Sequence, residues 1–316
     1  MKLPQDLARL PAEAGARHVA LARLKDATAA YHRLATTRDE DPEALHDFRV
    51  ALRRLRSCLR AYRPELRGSV SKRSYRRLRR LARVTRKSRD LEVHLAWVRD
   101  GKAAPPHGGV AHALAGRLRE AEHRMQKRLE GRFSRARRRL ERQLERLVID
   151  RPLDDDLPAH TMAAVTGRLV RDRSLTVRTA LAAIRSIDDR KAIHEARIAA
   201  KRLRYLIEPF ESAVPDAPDV LTRLAAFQDT FGDLHDVQVF GDELDDSLAT
   251  LDSSDPHRAT LTALRSRLDA RGREAFTAAR EQWLDGHADG FFTAVAGVAG
   301  EIAALAIASP VAGSKK

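Results

Sequence analysis

The stretch Asp41-Pro42-Glu43-Ala44-Leu45-His46-Asp47-Phe48-Arg49-Val50-Ala51-Leu52-Arg53-Arg54-Leu55-Arg56 has a counterpart later in the chain. That counterpart is Asp189-Arg190-Lys191-Ala192-Ile193-His194-Glu195-Ala196-Arg197-Ile198-Ala199-Ala200-Lys201-Arg202-Leu203-Arg204. The two align without a gap at an offset of 148, close to half of the 316 residues. Both read H-x-x-R-[VI]-x-x-[RK]-R-L-R, and a match of that length points to internal duplication. A fainter echo follows each: Arg89-Asp90-Leu91-Glu92-Val93 is answered by His235-Asp236-Val237-Gln238-Val239, now at an offset of 146.

Working outward, each half contains the same ordered parts: an opening helix, the His/Arg helix, a third helix running into the Asp echo, and a long fourth helix. The apolar spacing predicts helices near 5–38, 43–62, 70–98 and 109–148 in the first half. In the second half they fall near 160–187, 190–212, 218–249 and 256–285, with a last one at 290–308. Asp41, Pro42 and Glu43 read as N-cap, proline at the first helical position and acidic first turn, and Asp189 holds the capping place in the second half. Turn-rich breaks at Asp100–Gly109 and Val214–Pro218 separate later helices. No stretch alternates with period two. The expected fold is all-α: two pseudo-symmetric four-helix bundles, residues 1–150 and 151–316, the second with an additional C-terminal helix.

Composition agrees with that reading. Hydrophobic residues make up 43% of the chain, enough for a core, while aromatics are only 5% and Ala, Leu and Arg dominate. One cysteine excludes a disulfide framework and a cysteine-based zinc site. The first residues show no apolar signal-peptide core, and Phe291–Ile307 is short for a span, rich in Ala and Gly and interrupted by Glu301. It reads as a final buried helix. The expected setting is cytoplasmic, with no membrane span.

The formal charge of +15 conceals an asymmetry. Residues 1–150 hold 38 Lys+Arg against 18 Asp+Glu, a net of +20, whereas residues 151–316 hold 21 against 26, a net of −5. The change falls at Asp150–Pro158, whose two prolines and Asp154–Asp156 run read as a linker. Most of the excess is arginine, whose planar fork binds phosphate oxygens bidentately.

The arginines are ordered. With His46 at 0° and 100° per residue, Arg49, Arg53, Arg56 and Arg60 fall near about 300°, 340°, 280° and 320°. Phe48, Ala51, Leu52, Leu55, Cys58 and Leu59 occupy the opposite face. Solvated helix faces ordinarily mix signs, because like charges one turn apart repel by a few tenths of a kcal/mol per pair. This arc has no acid, over about 21 Å from His46 to Arg60, which favours a bound anion. Arg76, Arg79, Arg83 and Arg86 continue the pattern on one face of the third helix, with Arg80 and Lys87 beside them. In the second half His194, Arg197, Lys201 and Arg204 remain, but Glu208 stands at the Arg60 place, and Asp229 and Asp233 answer Arg83 and Lys87. The second half is expected to contribute less to a shared site. Arg128, Arg132, Arg135, Arg139, Arg142 and Arg146 form a further basic face on helix four, diluted by Glu130, Glu141 and Glu145. The two histidines head the stripes either as phosphate-facing groups or as interhelix contacts. Protonated, they would tighten anion binding below about pH 6.5. One histidine among arginines would repel a metal cation, so neither metal nor other cofactor is expected.

The paired motifs, with Asp41-Pro42 ahead of the first and the Asp-Val echoes behind, resemble the CHAD family, the conserved histidine α-helical domain, over residues about 10–310. The resemblance implies two four-helix bundles related by a pseudo-twofold, with basic residues lining a cavity or groove between and over them. It also implies binding of inorganic polyphosphate and, for several members, residence on polyphosphate granules. Some members are joined to or encoded beside triphosphate tunnel enzymes. Their β-barrel and E-x-E-x-K motif are absent here, so a stand-alone binding module is expected, with polyphosphate-metabolising enzymes as possible partners. Nucleic acid is the alternative polyanion, disfavoured by Trp97 and Trp283 being the only tryptophans, with 4 Tyr and 9 Phe. A phosphohydrolase is a third reading, but no phosphate-loop, dinucleotide or zinc-hydrolase motif occurs. Asp90 and Asp236 are the only repeated acids, and helix capping or pairing with an arginine accounts for them; the expectation is a non-enzyme.

Overall fold

The computed structural model describes residues 3–37, 41, 43–99, 108–146, 160–255 and 257–307. Among these there are helices and no strand: α1 (Ala12–Thr36), α2 (Ala44–Ala61), α3 (Lys72–Val84), α4 (Arg86–Arg99), α5 (Gly108–Leu129), α6 (Arg132–Glu145), α7 (Met162–Ala182), α8 (Arg190–Ile207), α9 (Ala217–Thr250), α10 (His257–Trp283) and α11 (Asp289–Ala304). A 3₁₀ turn, Glu208–Phe210, continues α8. The sequence spacing places nearly every helix, and the all-α class holds.

Two expected helices are each broken in two. The stretch 70–98 divides at Thr85, whose Oγ1 donates to the Ala82 carbonyl at 3.1 Å and so competes with the backbone ladder. The stretch 109–148 divides at Gly131, which adopts φ +63°, a left-handed conformation that favours glycine. Two caps also differ from expectation. The N-cap of α2 is Glu43 and not Asp41; Asp41 sits two residues ahead, its Oδ1 accepting from the Glu43 N–H at 3.1 Å. Asp189 occupies the N-cap position of α8, but its carboxylate accepts from the N–H groups of Arg185 and Ser186, behind the helix and not inside it.

The largest buried apolar cluster draws on α1, α2, α3, α6, α7, α8, α9 and α11 together. One core therefore passes through both sequence halves, and 1–150 and 151–316 are not marked off by separate cores. The 150–158 stretch read as a linker lies outside the described residues. A smaller cluster joins Leu91 and Leu95 of α4 and Leu114 and Ala121 of α5 to Phe240 of α9 and Leu268 of α10, again across the halves.

The crossing is close. Residues ahead of α1 dock on the start of α7, where the Met162 and Ala163 N–H groups donate to the carbonyls of Leu10 and Ala8 at 2.8 and 2.9 Å. A Cβ on Gly15 of α1 would meet the Met162 side chain at 2.7 Å, so any larger residue there would separate α1 from α7. Tyr62 and Thr166, both buried, share a hydroxyl hydrogen bond of 2.8 Å. The C-terminal apolar stretch forms α11, packed through Phe291, Phe292, Val295, Val298, Ala299 and Ile302, as expected of a buried helix. No helix among the described residues is long and apolar enough to cross a membrane.

Candidate functional site

On α2 the predicted core face is the buried one: Phe48, Ala51, Leu52, Leu55, Cys58 and Leu59 all pack inward. Burial of these six, with Phe48, Leu52, Leu55 and Leu59 worth about 1.5–3 kcal/mol each, fixes the rotation of the helix. The opposite arc must then point away from that core. Arg49, Arg53 and Arg56 are half-buried and Arg60 is exposed. On α8 the same rule, through Ile193, Ala196, Ala199, Ala200 and Leu203, turns Arg197 and Lys201 outward. Because α2 packs against α8, the two arcs meet.

Where they meet, positive charge collects. Lys201 has its pKa lowered to about 7 by burial first, then by Arg197 and Arg53, with Asp236 opposing and Arg49 adding. Arg49 is lowered to about 10, again by burial first, with Asp90 opposing and Arg53 and Arg89 reinforcing. Burial likewise lowers Arg197, which feels Asp236 and Arg53. Residues from both repeats thus share one electrostatic site. Asp90 and Asp236 face it from α4 and α9, and burial raises both above the usual carboxylate range while Arg49 and Arg197 respectively hold them down.

The hydrogen bonds that hold these guanidiniums carry no charge. Arg49 Nη1 donates to Thr85 Oγ1 at 3.0 Å, the same hydroxyl that breaks α3 from α4. Arg53 Nε donates to the Tyr205 hydroxyl at 3.0 Å, across the repeats. The buried Arg197 Nε finds no hydrogen-bond acceptor among the described residues. These hydrogen bonds orient Arg49 and Arg53 without neutralising them.

A second lobe extends from Arg53. Arg56 is lowered by burial and then by Arg79, Arg60, Arg53 and Arg83, and Arg202 by burial and then Arg60, Arg173 and Arg56. The structure therefore brings together Arg49, Arg53, Arg56, Arg60, Arg79, Arg83, Arg197 and Lys201 of the expected set. Arg76 is exposed on α3 and is not tied to the cluster by any described contact. Arg86, past the break at Thr85, leaves the α3 face and acts instead on His194 and His235.

Arg204 goes elsewhere. Its Nε lies 3.3 Å from Glu208 Oε1, to which Arg54 Nη2 also donates at 2.9 Å. Glu208 Oε2 accepts from buried Arg23 at 2.6 Å. The glutamate that replaces the Arg60 equivalent is thus a pin for three arginines, two from the first half, and Arg204 is neutralised there.

The two histidines prove to be half-buried and placed alike. The His194 ring lies 5.0 Å from that of His235, and Arg89 acts on His46; His235 and Arg89 are the equivalent positions of the echo. His46 and His194 are both lowered, by burial first and then by Arg89 and Arg197 respectively. His235 falls to about 3, by burial and then Arg197. Residue-by-residue reading missed Arg89, His235, Arg202, Thr85 and Tyr205. The echo itself flagged the first two.

The CHAD domain family profile matches residues 19–245, most of the chain and both motifs. The chain belongs to the CHAD family. The match is narrower than the 10–310 expected, leaving out the start of α1, the end of α9 and all of α10 and α11. Among solved structures, the crystal structure of the CHAD domain from the plant Ricinus communis is similar, with a TM-score of 0.67 at 20% identity over 90% of this chain and 92% of that one. Similarity at that identity speaks for the fold. No curated protein matches. In this CHAD domain the histidine of each motif heads an arginine arc, and the arcs of the two repeats converge.

Proposed function

We propose that this CHAD domain is a non-catalytic polyanion-binding module whose ligand is inorganic polyphosphate. The observation that carries the reading is the convergence of Arg49, Arg53, Arg197 and Lys201 from two repeats, all half-buried, with Arg49 and Arg53 held by neutral hydroxyls. Asp90 and Asp236 set two carboxylates against these four cations, and half-buried cations left in excess are unfavourable without a further counter-charge. A chain of phosphates supplies that charge at short, regular intervals, and the guanidinium forks take its oxygens bidentately. His46, Arg56, Arg60, Arg79 and Arg83 widen the track, Arg76 and Arg86 extend it, and His194 borders it from the other repeat.

Polyphosphate fits better than nucleic acid. Leu175 and Ile307 are the exposed large hydrophobics among the described residues, so among these no aromatic ring stands out for a base to stack upon. Asp90 and Asp236 face Arg49 and Arg197, which suits pairing better than catalysis. Residence on cytoplasmic polyphosphate granules and contact with polyphosphate-metabolising enzymes accord with this reading and with the family.

The test is binding of long-chain polyphosphate and of length-matched DNA across a salt series, with Arg49→Ala/Arg53→Ala/Arg56→Ala beside the wild type. Preference for polyphosphate that survives physiological salt and collapses in the triple variant is the expected result. Equal affinity for both polymers, or an indifferent variant, refutes it. Phosphate release with Mg²⁺ or Mn²⁺ would refute the non-catalytic part alone.

A further inference from the structure

The helix α3, Lys72–Val84, holds six arginines among its 13 residues and no acid. With Arg76 at 0°, Arg79 and Arg83 lie near about 300° and 340°, and Arg80, Arg73 and Arg77 near about 40°, 60° and 100°. Leu78 and Leu81, on the remaining side, are buried. Arg79 and Arg83 act on Arg56 of the central cluster. Arg73, Arg77 and Arg80 belong to a different surface, and Arg76 lies on the ridge between the two.

There, Arg77 and Arg80 line a groove of about 300 Å³ with Arg132 and Arg135 of α6, over a floor of Leu81, Val84 and Ala136. Arg77 is lowered by desolvation first and then by Arg73, Arg139, Arg135 and Arg80, so four guanidiniums line this groove and two more, those of Arg73 and Arg139, act on it from beside. None of the six has an acidic partner among the described residues; Glu141 of α6 is taken by Arg137 at 2.9 Å. The buried Arg139 Nε has no hydrogen-bond acceptor among them either. Arginine stems cover the aliphatic floor and leave their heads to water, but like charges this dense repel one another unless an anion lies between them.

We propose that this outer groove is a second polyphosphate track, joined to the central cluster over the arginine ridge of α3. A long chain occupies both tracks, and a short one occupies only the central site. The occupant is polyphosphate and not nucleic acid because the floor is aliphatic, with no ring for a base. The proposal rests on the function given above.

The experiment compares long-chain polyphosphate, tripolyphosphate and length-matched single-stranded DNA on the wild type and on Arg77→Gln/Arg80→Gln/Arg135→Gln. The variant should lose at least about tenfold in long-chain affinity. Its salt slope should shrink by about 2, from three lost contacts at about 0.7 each, taking single-stranded nucleic acid as the guide. Tripolyphosphate affinity should not change. The Arg→Lys triple at the same positions keeps the charge and should restore most of the slope. Melting curves no lower than the wild type establish that folding is intact, as expected for a variant relieved of repulsion. Unchanged long-chain binding, a parallel loss of tripolyphosphate, or a loss confined to DNA would each overturn the second track while leaving the central site standing. A wild type that binds neither phosphate probe overturns both.

Discussion

The Nε of Arg53 donates to the Tyr205 hydroxyl at 3.0 Å, joining equivalent helices of the two repeats through a neutral bond. Tyr205 is itself buried, so its hydroxyl is a fixed acceptor and not a solvent-exposed one. The bond aims the guanidinium at the place where Arg49, Arg197 and Lys201 converge, and leaves its charge available to an anion. Tyr205→Phe keeps the ring and removes the acceptor. It should destabilise the protein by about 0.5–1.5 kcal/mol, read by urea unfolding. It should also weaken polyphosphate binding about three- to tenfold, read by calorimetry at fixed salt. Loss of stability with no loss of affinity would mean that Arg53 is held only for packing.

Glu208 does the reverse for its arginines. Its side chain is 10% exposed and Arg23 beside it is 8% exposed, so their charges depend on each other in a poorly hydrated place. Glu208→Gln leaves buried Arg23 with only the more exposed Asp26, at 3.8 Å, as a counter-charge and should cost about 3 kcal/mol, measured as a drop in the unfolding midpoint. Glu208→Gln combined with Arg23→Met should recover part of that loss, since removing both charges is far less harmful than removing one. No recovery in the double variant would place the stabilisation in Arg54 and Arg204 instead.

The pH dependence follows from Lys201. A free imidazole protonates below about pH 6.5, but burial and neighbouring arginines lower His46 and His194. The group that titrates near neutrality is Lys201, at about 7. A bound polyanion favours its ammonium form, so the complex takes up a proton and binding weakens as pH rises from about 7 to 9. Lys201→Arg stays charged and should flatten the profile over that window, with proton uptake followed by calorimetry in buffers of different ionisation enthalpy. A wild-type profile already flat there would remove Lys201 from the site. Stability has the opposite sign. A lysine whose pKa is depressed on folding contributes fully above its unfolded value of about 10.4 and loses that contribution as pH falls towards about 7. Lys201→Met should therefore raise stability at pH 7 by about 1 kcal/mol while weakening polyphosphate binding.

What is legible in the sequence, and what is not, divides along one physical line. The arc His46–Arg60 and the core face opposite it are legible because helical period and apolar spacing are local, and Phe48, Leu52, Leu55 and Leu59 land where the period puts them. The repeat and its echo likewise bring Arg49 with Asp90 and Arg197 with Asp236 into view as equivalent pairs. The break at Thr85 is not legible. Arg83 and Arg86 keep helical spacing across it, and the hydroxyl that turns the chain is held by Arg49, 36 residues away. Tyr205 is hidden for a related reason: its repeat equivalent is Ser57, so comparing the halves gives it no weight. Glu208 reads as a lost stripe cation, and only the packing of α1, α2 and α8 shows it to be a clasp.

Asp90 and Asp236 supply the last prediction. They are the repeated carboxylates facing the cluster, one from each half, and burial raises both while Arg49 and Arg197 oppose that rise. If they serve only to steady those arginines, each competes with phosphate for the same guanidinium. Asp90→Asn/Asp236→Asn should then bind polyphosphate more tightly, by about three- to tenfold at low salt, with the gain fading as salt rises. The magnitude corresponds to about 0.7–1.4 kcal/mol. If instead they hold a divalent cation between themselves and the phosphates, the same variant should bind more weakly when Mg²⁺ is present and lose the Mg²⁺ dependence of the wild type. Titrating both proteins with polyphosphate, with and without Mg²⁺, separates the two outcomes by the sign of the change, and the charge balance of the cluster favours the gain.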